Sequence, residues 1–184
     1  KNRIKIEAGD IQGVNHGLAS LLQLIMTAKD AQLPVLTIQD KPAFGYRGLM
    51  LDCARHFWTV DELKETLDHM AFFKLNTLHM HLTDNQAWRL SMDKYPDLVK
   101  EGTYYYDFPE LSGKYYSKED LKEIVTYAGT RGIEIIPEVD LPGHSIALLA
   151  ALPELSCRGG KFEATPEERD WNKRKRGNEN MICI

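Results

Sequence analysis

The sequence has few cysteines, no long apolar segment and little net charge, and each of these shortages excludes a class of protein. The three cysteines, Cys53, Cys157 and Cys183, are too few and too scattered for a disulfide framework or a zinc knuckle, so free or buried thiols are expected. The apolar runs are far shorter than the roughly 20 residues that span a bilayer, which predicts no transmembrane helix and no membrane partner. A net charge of −4 gives no reason to expect a nucleic-acid partner.

What the chain does contain is typical of a folded domain. Of its 184 residues, 43% are hydrophobic and 27% are charged, and this balance predicts a soluble globular protein with a substantial core. A basic run at 169–178 could contact nucleic acid, but we interpret it as a solvated loop. An aromatic-rich connection at 83–116 either packs against the domain or is available for stacking on a sugar.

The first 42 residues are organised differently from the rest of the chain. Alternating apolar residues predict strands within 1–10 and at 35–38, and apolar residues at a spacing of three and four predict a helix over 15–29. A strand, a helix and a strand in so short a segment are too little for a domain. Residues 1–42 are therefore interpreted as the end of a preceding α/β domain.

Residues 43–184 alternate regularly between strands and helices. Thr59 with Glu62 has the pattern of a capping box and predicts the start of one helix, and Ser117 with Asp120 predicts the start of the next. This alternation predicts a parallel α/β sheet with right-handed crossover connections. The predicted strands are 47–52, 76–82, 133–138 and an incomplete fourth strand at 181–184.

Three of these strands are each followed by an aspartate, namely Asp52, Asp84 and Asp140. Because the carboxyl ends of parallel strands meet at one edge, we expect these carboxylates to lie together with Arg55 and His144. Arg55 offers a fixed fork of donors that suits paired hydroxyls or carboxylates, although it could instead only brace Asp52 through an ion pair. His144 lies where the backbone turns into a helix, and the Asp84 carboxylate could orient its imidazole.

Two further patterns offer other interpretations. His79 and His81 lie on the same side of a strand near Asp84, so they could bind zinc in a metal-dependent TIM-barrel hydrolase. Against this, both histidines lie within the strand rather than at its end, and no other histidine or cysteine is spaced to complete the ligand set. Asp61 and Glu62 are adjacent acidic residues, as in the catalytic pairs of some glycosidases. They lie in the first turn of a predicted helix, however, where the helix dipole favours acidic residues.

Three blocks of sequence resemble the glycoside hydrolase family 20 β-N-acetylhexosaminidases, and they occur in the order found in that family. The blocks are Y-R-G-L-M-L-D-x-x-R at 46–55, H-x-H-L-T-D-N-Q-x-W-R at 79–89 and P-E-V-D-L-P-G-H at 137–144. With weaker similarity at 10–45, the resemblance covers nearly all of 1–157.

The resemblance implies a small non-catalytic α/β domain, ending with 1–42, and a catalytic (β/α)8 TIM barrel, of which 43–184 would form the first four βα units. It also implies an exo-enzyme that removes terminal non-reducing β-linked N-acetylglucosamine or N-acetylgalactosamine from oligosaccharides or glycoconjugates. In this family the substrate's own 2-acetamido oxygen attacks the anomeric carbon, and the configuration is retained. The resemblance implies no cofactor, and it leads us to expect a periplasmic, secreted or lysosomal location.

The resemblance further implies roles for Arg55, which would hold the 3- and 4-hydroxyls of the terminal sugar, and for Asp84 and His144, which would form a relay near the catalytic acid. In the family an Asp-Glu pair after the fourth barrel strand orients the acetamido group and protonates the leaving oxygen. That pair is absent from this sequence, so we expect this chain alone to be inactive. It would need the remainder of the barrel or a partner chain to cover its open half barrel. The alternative from another class is a non-catalytic sugar-binding module.

Overall fold

The computed structural model describes residues 3–30, 32–105, 108–157, 159–164 and 181–183. Three strands alternate with helices in this part of the chain, and short 3-10 helices lie at Pro109–Leu111 and Pro153–Leu155. In chain order the elements are α1 (Ile11–Thr27), β1 (Gly48–Asp52), α2 (Val60–Phe72), β2 (Thr77–His81), α3 (Asp97–Glu101), α4 (Lys118–Gly129), β3 (Glu134–Glu138) and α5 (Ile146–Ala151).

The three strands form one sheet in the order β1–β2–β3. At the start of the β1–β2 pair, the Asn76 N–H donates to the Arg47 carbonyl, and at its end the Cys53 N–H donates to the His81 carbonyl. Both partners advance along the chain in the same direction, so the strands are parallel, as the alternating pattern predicted. The corresponding bonds between β2 and β3 run from Glu134 N to the Asn76 carbonyl and from Leu82 N to the Glu138 carbonyl.

The chain divides into two compact units. The first contains Lys1–Leu49, Val60–Leu78 and Ile124–Ile135, and the second contains Met50–Thr59, His79–Glu123 and Ile136–Ile184. Each strand contributes its first two residues to the first unit and its remaining residues to the second. The carboxyl ends of all three strands, where the candidate site was predicted, therefore belong to the second unit.

The first unit is organised around α1 and α2. α1 begins after Asp10, whose carboxylate accepts a hydrogen bond from the Gly13 N–H at 2.7 Å and so caps the helix. The two helices pack together, and the Gln23 side-chain amide donates to the Phe72 carbonyl at the end of α2 (2.7 Å). The apolar stripe predicted for α2 is buried at Leu63, Leu67 and Met70.

The second unit has a core formed by α3, α5 and the connection before α4. α3 packs against α5, and the Trp88 indole donates to the Leu90 carbonyl at 2.9 Å. Trp88, Tyr105 and Tyr116 are buried, whereas Tyr104 and Tyr115 are exposed. The aromatic connection therefore packs into the domain through part of its rings only. Trp88 and Tyr105 belong to one apolar cluster, whose other members are Leu98, Val99, Ala147, Leu148 and Ala164.

The capping box predicted at the start of α4 is present. The Ser117 N–H and hydroxyl both donate to Asp120 Oδ2 at 2.8 Å, and the Asp120 N–H donates to the Ser117 hydroxyl oxygen at 3.0 Å. α4 ends at Gly129, and Gly132 adopts a φ of +68° in the turn that precedes β3. Both boundaries follow from local chemistry that the sequence displays.

Two predicted strands in the first 42 residues are wrong: the described parts of 1–10 and 35–38 are irregular. A strand is stable only where a neighbouring strand accepts its backbone hydrogen bonds. Here Ile4 and Val35 are largely exposed to solvent instead of packing in a sheet. The helix predicted at 15–29 exists, but it begins at Ile11. The basic run at 169–178 lies outside the described residues.

The predicted fourth strand and the expected free thiols also need correction. Ile182 pairs in an antiparallel bridge with Ser156, whereas a continuing barrel strand would pair in parallel. This pairing brings Cys157 next to Cys183, and the two form a disulfide across 26 residues of sequence. Cys53 alone is free, as expected; it is buried, and burial raises the pKa of its thiol to about 11. In the described part of the chain, no helix has both the length and the apolar character needed to cross a membrane.

Candidate active site

Asp84 is the centre of the candidate site. It follows the end of β2 by three residues, in a tight turn where its N–H donates to the Ala87 carbonyl at 3.0 Å and where Thr83 pairs with Trp88 in an antiparallel bridge. This turn places the Asp84 carboxylate inside the second unit, and the residue is 1% exposed. A carboxylate buried to this extent needs partners for both of its oxygens.

Both oxygens of Asp84 have such partners. Oδ2 lies 2.7 Å from Arg55 Nη2 and 2.9 Å from His81 Nε2. Oδ1 lies 3.0 Å from His144 Nδ1 and accepts the Asn85 N–H at 2.6 Å. The carboxylate therefore joins residues from the turns after β1 and β3 to the end of β2, and its orientation is fixed by four contacts.

Arg55 spans two carboxylates. Nη1 lies 2.5 Å from Asp52 Oδ2, and Nη2 contacts Asp84. Asp52 Oδ1 also accepts the N–H groups of Ala54 and Arg55. Burial alone would raise the pKa of Asp52, but the backbone amide and the guanidinium of Arg55 outweigh it, so the pKa lies below its ordinary value. The predicted brace between Asp52 and Arg55 exists, and 40% of the Arg55 side chain remains exposed.

Arg89 stabilises the turn that carries Arg55 through hydrogen bonds to its backbone. This buried guanidinium donates to the carbonyls of Cys53 (3.0 Å), Ala54 (2.9 Å) and Lys114 (2.6 Å). Since Cys53 and Ala54 are themselves fully buried, their carbonyls depend on this side chain for hydrogen bonds. Arg89 thus fixes the backbone immediately before Arg55.

His144 approaches Asp84 from the loop that joins β3 to α5. Its φ is +52°, a left-handed conformation that few residues other than glycine adopt. The loop is held by the Ser145 hydroxyl, which donates to the carbonyls of Pro142 (3.0 Å) and Gly143 (2.8 Å). The His144 side chain is 43% exposed. One edge of the ring therefore faces Asp84 while much of the remainder is accessible.

Glu138, the last residue of β3, connects the two histidines of β2. Its Oε1 lies 3.0 Å from His81 Nδ1, and its Oε2 lies 2.6 Å from His79 Nε2. Burial would lower the pKa of His81, but the hydrogen bonds to Asp84 and Glu138 outweigh it and raise the pKa above its ordinary value. The result is an unbroken series of contacts from His79 through Glu138, His81 and Asp84 to His144.

The structure does not favour the zinc site proposed for His79 and His81. The donors that come within 4.8 Å of one another in the described chain belong to His81, Asp84 and Asp140, and His79 is not among them. Asp84 is already paired with the Arg55 guanidinium, and a fixed cation at that carboxylate opposes the binding of a metal ion there. We therefore interpret these groups as an ion-pair network.

The structure thus brings together most of the residues that the sequence singled out. Asp52, Arg55, Asp84 and His144 form one connected network, and Asp140 approaches Asp84. Asp61 and Glu62 lie in the first turn of α2, as the dipole argument predicted.

Sequence reasoning missed the function of Glu138 in this network. A signal was present, because Glu138 and Asp140 are two residues apart in an extended segment and so point to the same face. The pairing of Glu138 with two histidines of the neighbouring strand depends on strand register, which the sequence pattern did not specify.

Comparison with known proteins identifies relatives of this chain in sequence and in structure. Residues 44–184 match the glycosyl hydrolase family 20 catalytic domain. A beta-hexosaminidase of Porphyromonas gingivalis is 40% identical over 173 residues, which cover 89% of this chain and 22% of the relative. A beta-hexosaminidase of Akkermansia muciniphila is 43% identical over 159 residues, with coverage of 83% and 32%.

Solved structures show the same likeness. The family 20 exo-β-N-acetylglucosaminidase of Vibrio harveyi, in complex with N-acetylglucosamine, superposes with a TM-score of 0.77 at 36% identity, covering 96% of this chain and 29% of that one. The chain therefore has the α/β fold of these enzymes, and it spans between 22% and 32% of the length of the three relatives. Because the family match extends over most of its residues, the chain belongs to glycosyl hydrolase family 20.

Proposed function

We propose that the protein containing this chain is an exo-β-N-acetylhexosaminidase that hydrolyses terminal β-linked N-acetylglucosamine or N-acetylgalactosamine. Membership of family 20 supports this proposal, and so do the names of the relatives, which are hexosaminidases. The strongest structural support for the proposal is the network in which Arg55 and His144 both contact the buried Asp84 carboxylate. Residues 1–42 would end the preceding small domain, and 43–184 would supply the first part of a (β/α)8 barrel.

In this proposal Arg55 binds the terminal sugar. A guanidinium presents donors in a planar fork, and two adjacent hydroxyl oxygens on a pyranose ring can accept from such a fork. The contacts with Asp52 and Asp84 hold the planar group in place, so little rotamer entropy is lost when the 3- and 4-hydroxyls bind. The exposed 40% of the side chain leaves an accessible face for the sugar.

Asp84 and His144 act as a relay in this proposal. Asp84 Oδ1 faces His144 Nδ1 at 3.0 Å, so the carboxylate accepts a hydrogen bond from the Nδ1–H group and orients the ring. The oriented imidazole would then form a hydrogen bond with the general acid. The reaction is substrate-assisted, and its nucleophile is the 2-acetamido group of the sugar. Asp61–Glu62, the one Asp-Glu pair in these 184 residues, is in α2. We therefore propose that the catalytic pair lies outside them and that this chain alone does not hydrolyse substrate.

The proposal is tested with 4-nitrophenyl N-acetyl-β-D-glucosaminide. The full-length protein should release nitrophenol, whereas the 184-residue polypeptide should release none above background. In the full-length protein, Arg55→Ala should raise KM by about tenfold or more, because one bidentate contact to hydroxyls contributes about 1.5–3 kcal/mol. Arg131→Ala is the matched control, since Arg131 pairs with Asp68 and both belong to the first compact unit, whereas the network residues belong to the second, and it should leave KM unchanged.

Two results would contradict the proposal. Hydrolysis by the 184-residue polypeptide alone would show that the catalytic groups lie within it. If the full-length protein hydrolyses nothing but binds N-acetylglucosamine, and Arg55→Ala abolishes that binding, the protein is a non-catalytic sugar-binding module instead.

A further inference from the structure

His81 lies between two carboxylates. Its Nε2 is 2.9 Å from Asp84 Oδ2 and its Nδ1 is 3.0 Å from Glu138 Oε1. Ionised carboxylates only accept hydrogen bonds, so each ring nitrogen that faces one must donate. A neutral imidazole has a single N–H, and only the imidazolium donates from both nitrogens. The geometry therefore requires a proton on each nitrogen of His81 as long as both carboxylates are ionised.

The surroundings of His81 are strongly acidic. The side chain is 8% exposed, so solvent screens its interactions weakly. Glu138 is itself held by both oxygens, because its second oxygen faces His79. In the part of the chain that the structure describes, this network contains Asp52 after β1, Asp84 after β2, Glu138 and Asp140 from β3 and the turn that follows, and the cation Arg55, which pairs with two of these acids.

On the basis of the proposed function, we propose that Glu138 and His81 are positioning residues for the Asp84–His144 pair. Glu138 keeps His81 protonated, and protonated His81 holds Asp84 as an ionised acceptor. Asp84 then accepts from His144, so the His144 ring carries its proton on Nδ1 and leaves Nε2 as the acceptor. Glu138 and His81 do not touch the substrate; they act through Asp84.

Loss of the His81 proton would disturb this arrangement. A neutral ring keeps one N–H, so the lone pair of the other nitrogen would face a carboxylate oxygen at about hydrogen-bond distance, which is repulsive. Either the contact with Asp84 or the contact with Glu138 must then lengthen. The orientation of His144 consequently depends on the protonation of His81, because the two histidines contact opposite oxygens of Asp84.

Glu138→Gln is the decisive substitution. Glutamine has nearly the same shape, and with its carbonyl oxygen towards His81 Nδ1 and its amide group towards His79 it still accepts from His81 while the charge beside that ring is removed. Glu134→Gln is the matched control, because Glu134 begins the same strand, is exposed and loses the same charge. Glu138→Asp is a second variant that retains the charge on a shorter side chain. Thermal unfolding midpoints of the three variants establish that each one folds.

The first measurement is an NMR titration of the full-length protein with isotopically labelled histidine, in which the His81 signal is assigned from its absence in His81→Gln. His81 should titrate above pH 6.5 in the wild type and in Glu134→Gln. In Glu138→Gln it should titrate about one to three pH units lower. A His81 that titrates at or below 6.5 in the wild type, or equally in the two glutamine variants, would overturn the proposal.

The second measurement is the pH profile of kcat/KM with the nitrophenyl glycoside. The alkaline limb should move to lower pH in Glu138→Gln by the amount seen in the titration, with Glu138→Asp close to the wild type. An alkaline limb that stays in place while His81 titrates lower would show that His81 does not position the relay. Absence of hydrolysis by the wild type would instead refute the proposed function, and the NMR titration would still decide whether Glu138 maintains the proton on His81.

Discussion

The buried guanidinium of Arg89 gives the sharpest prediction for stability. Arg89→Met keeps a long side chain of similar reach but removes all three hydrogen bonds to backbone carbonyls. The carbonyl of the exposed Lys114 can bind water instead, whereas those of Cys53 and Ala54 belong to fully buried residues. The cost of this substitution is therefore set by the two carbonyls that are left without a donor.

The magnitude follows from those two groups. An unsatisfied buried acceptor costs about 1–3 kcal/mol, so two of them set a scale of about 2–6 kcal/mol. Among the described residues Arg89 has no carboxylate in an ion pair; its charge is compensated by these carbonyls and by the Phe57 ring, whose centroid lies 5.4 Å from Cζ, and burial lowers its pKa. Removing that charge relieves desolvation, which moves the expected loss in the free energy of unfolding towards about 2–4 kcal/mol.

The assay is urea denaturation of the full-length protein followed by tryptophan fluorescence, for which the neighbouring buried Trp88 is a local reporter. Arg131→Met is the control; its ion pair with the half-exposed Asp68 is a surface contact that contributes about 1 kcal/mol at most. Arg89→Met should also raise KM, because the turn that precedes Arg55 loses its support. If the two variants were equally stable, the argument from unsatisfied carbonyls would be refuted.

Three further predictions concern the cysteines and His81. Replacing Cys157 and Cys183 by serine should lower the free energy of unfolding by about 2–4 kcal/mol, and unchanged denaturation curves would contradict the disulfide. The thiol of Cys53, with a pKa of about 11, should not react with Ellman's reagent at pH 8 until the protein is unfolded. Because the folded state raises the pKa of His81, its stabilising contribution is complete below about pH 6.5 and is lost as the pH rises through the folded value. His81→Gln should therefore weaken the decline of stability above pH 6.5, and an identical decline in both proteins would oppose this linkage.

Local chemistry explains which parts of the fold were predictable. The box formed by Ser117 and Asp120, the stripe of α2 and the apolar runs of the three strands each depend on residues close in sequence. The strands expected within 1–10 and at 35–38 failed because pairing requires a partner that sequence alternation does not supply. The disulfide was missed for a related reason, since only the return of the chain beside Ser156 brings its two cysteines together.

The candidate site was predictable to the extent that it depends on strand ends. Asp52, Asp84 and Asp140 each follow a strand, and the parallel arrangement alone places them at one edge. The contacts of Glu138 with His79 and His81 depend on strand register and rotamers, and a shift of one residue would have turned these side chains to opposite faces. Family resemblance pointed to Arg55, Asp84 and His144, but it left open what holds them in place.

The left-handed backbone of His144 has a consequence for how this position can be interpreted by mutagenesis. A residue with a Cβ in this conformation carries a penalty of about 1–2 kcal/mol, which glycine does not. His144→Gly would therefore remove the contact with Asp84 and relieve strain at the same time, so the measured change in stability combines two opposing effects. His144→Asn, which also tolerates this conformation, retains a Cβ and separates the two effects. Under the proposed function, selection for stability and selection for catalysis therefore favour different side chains at residue 144.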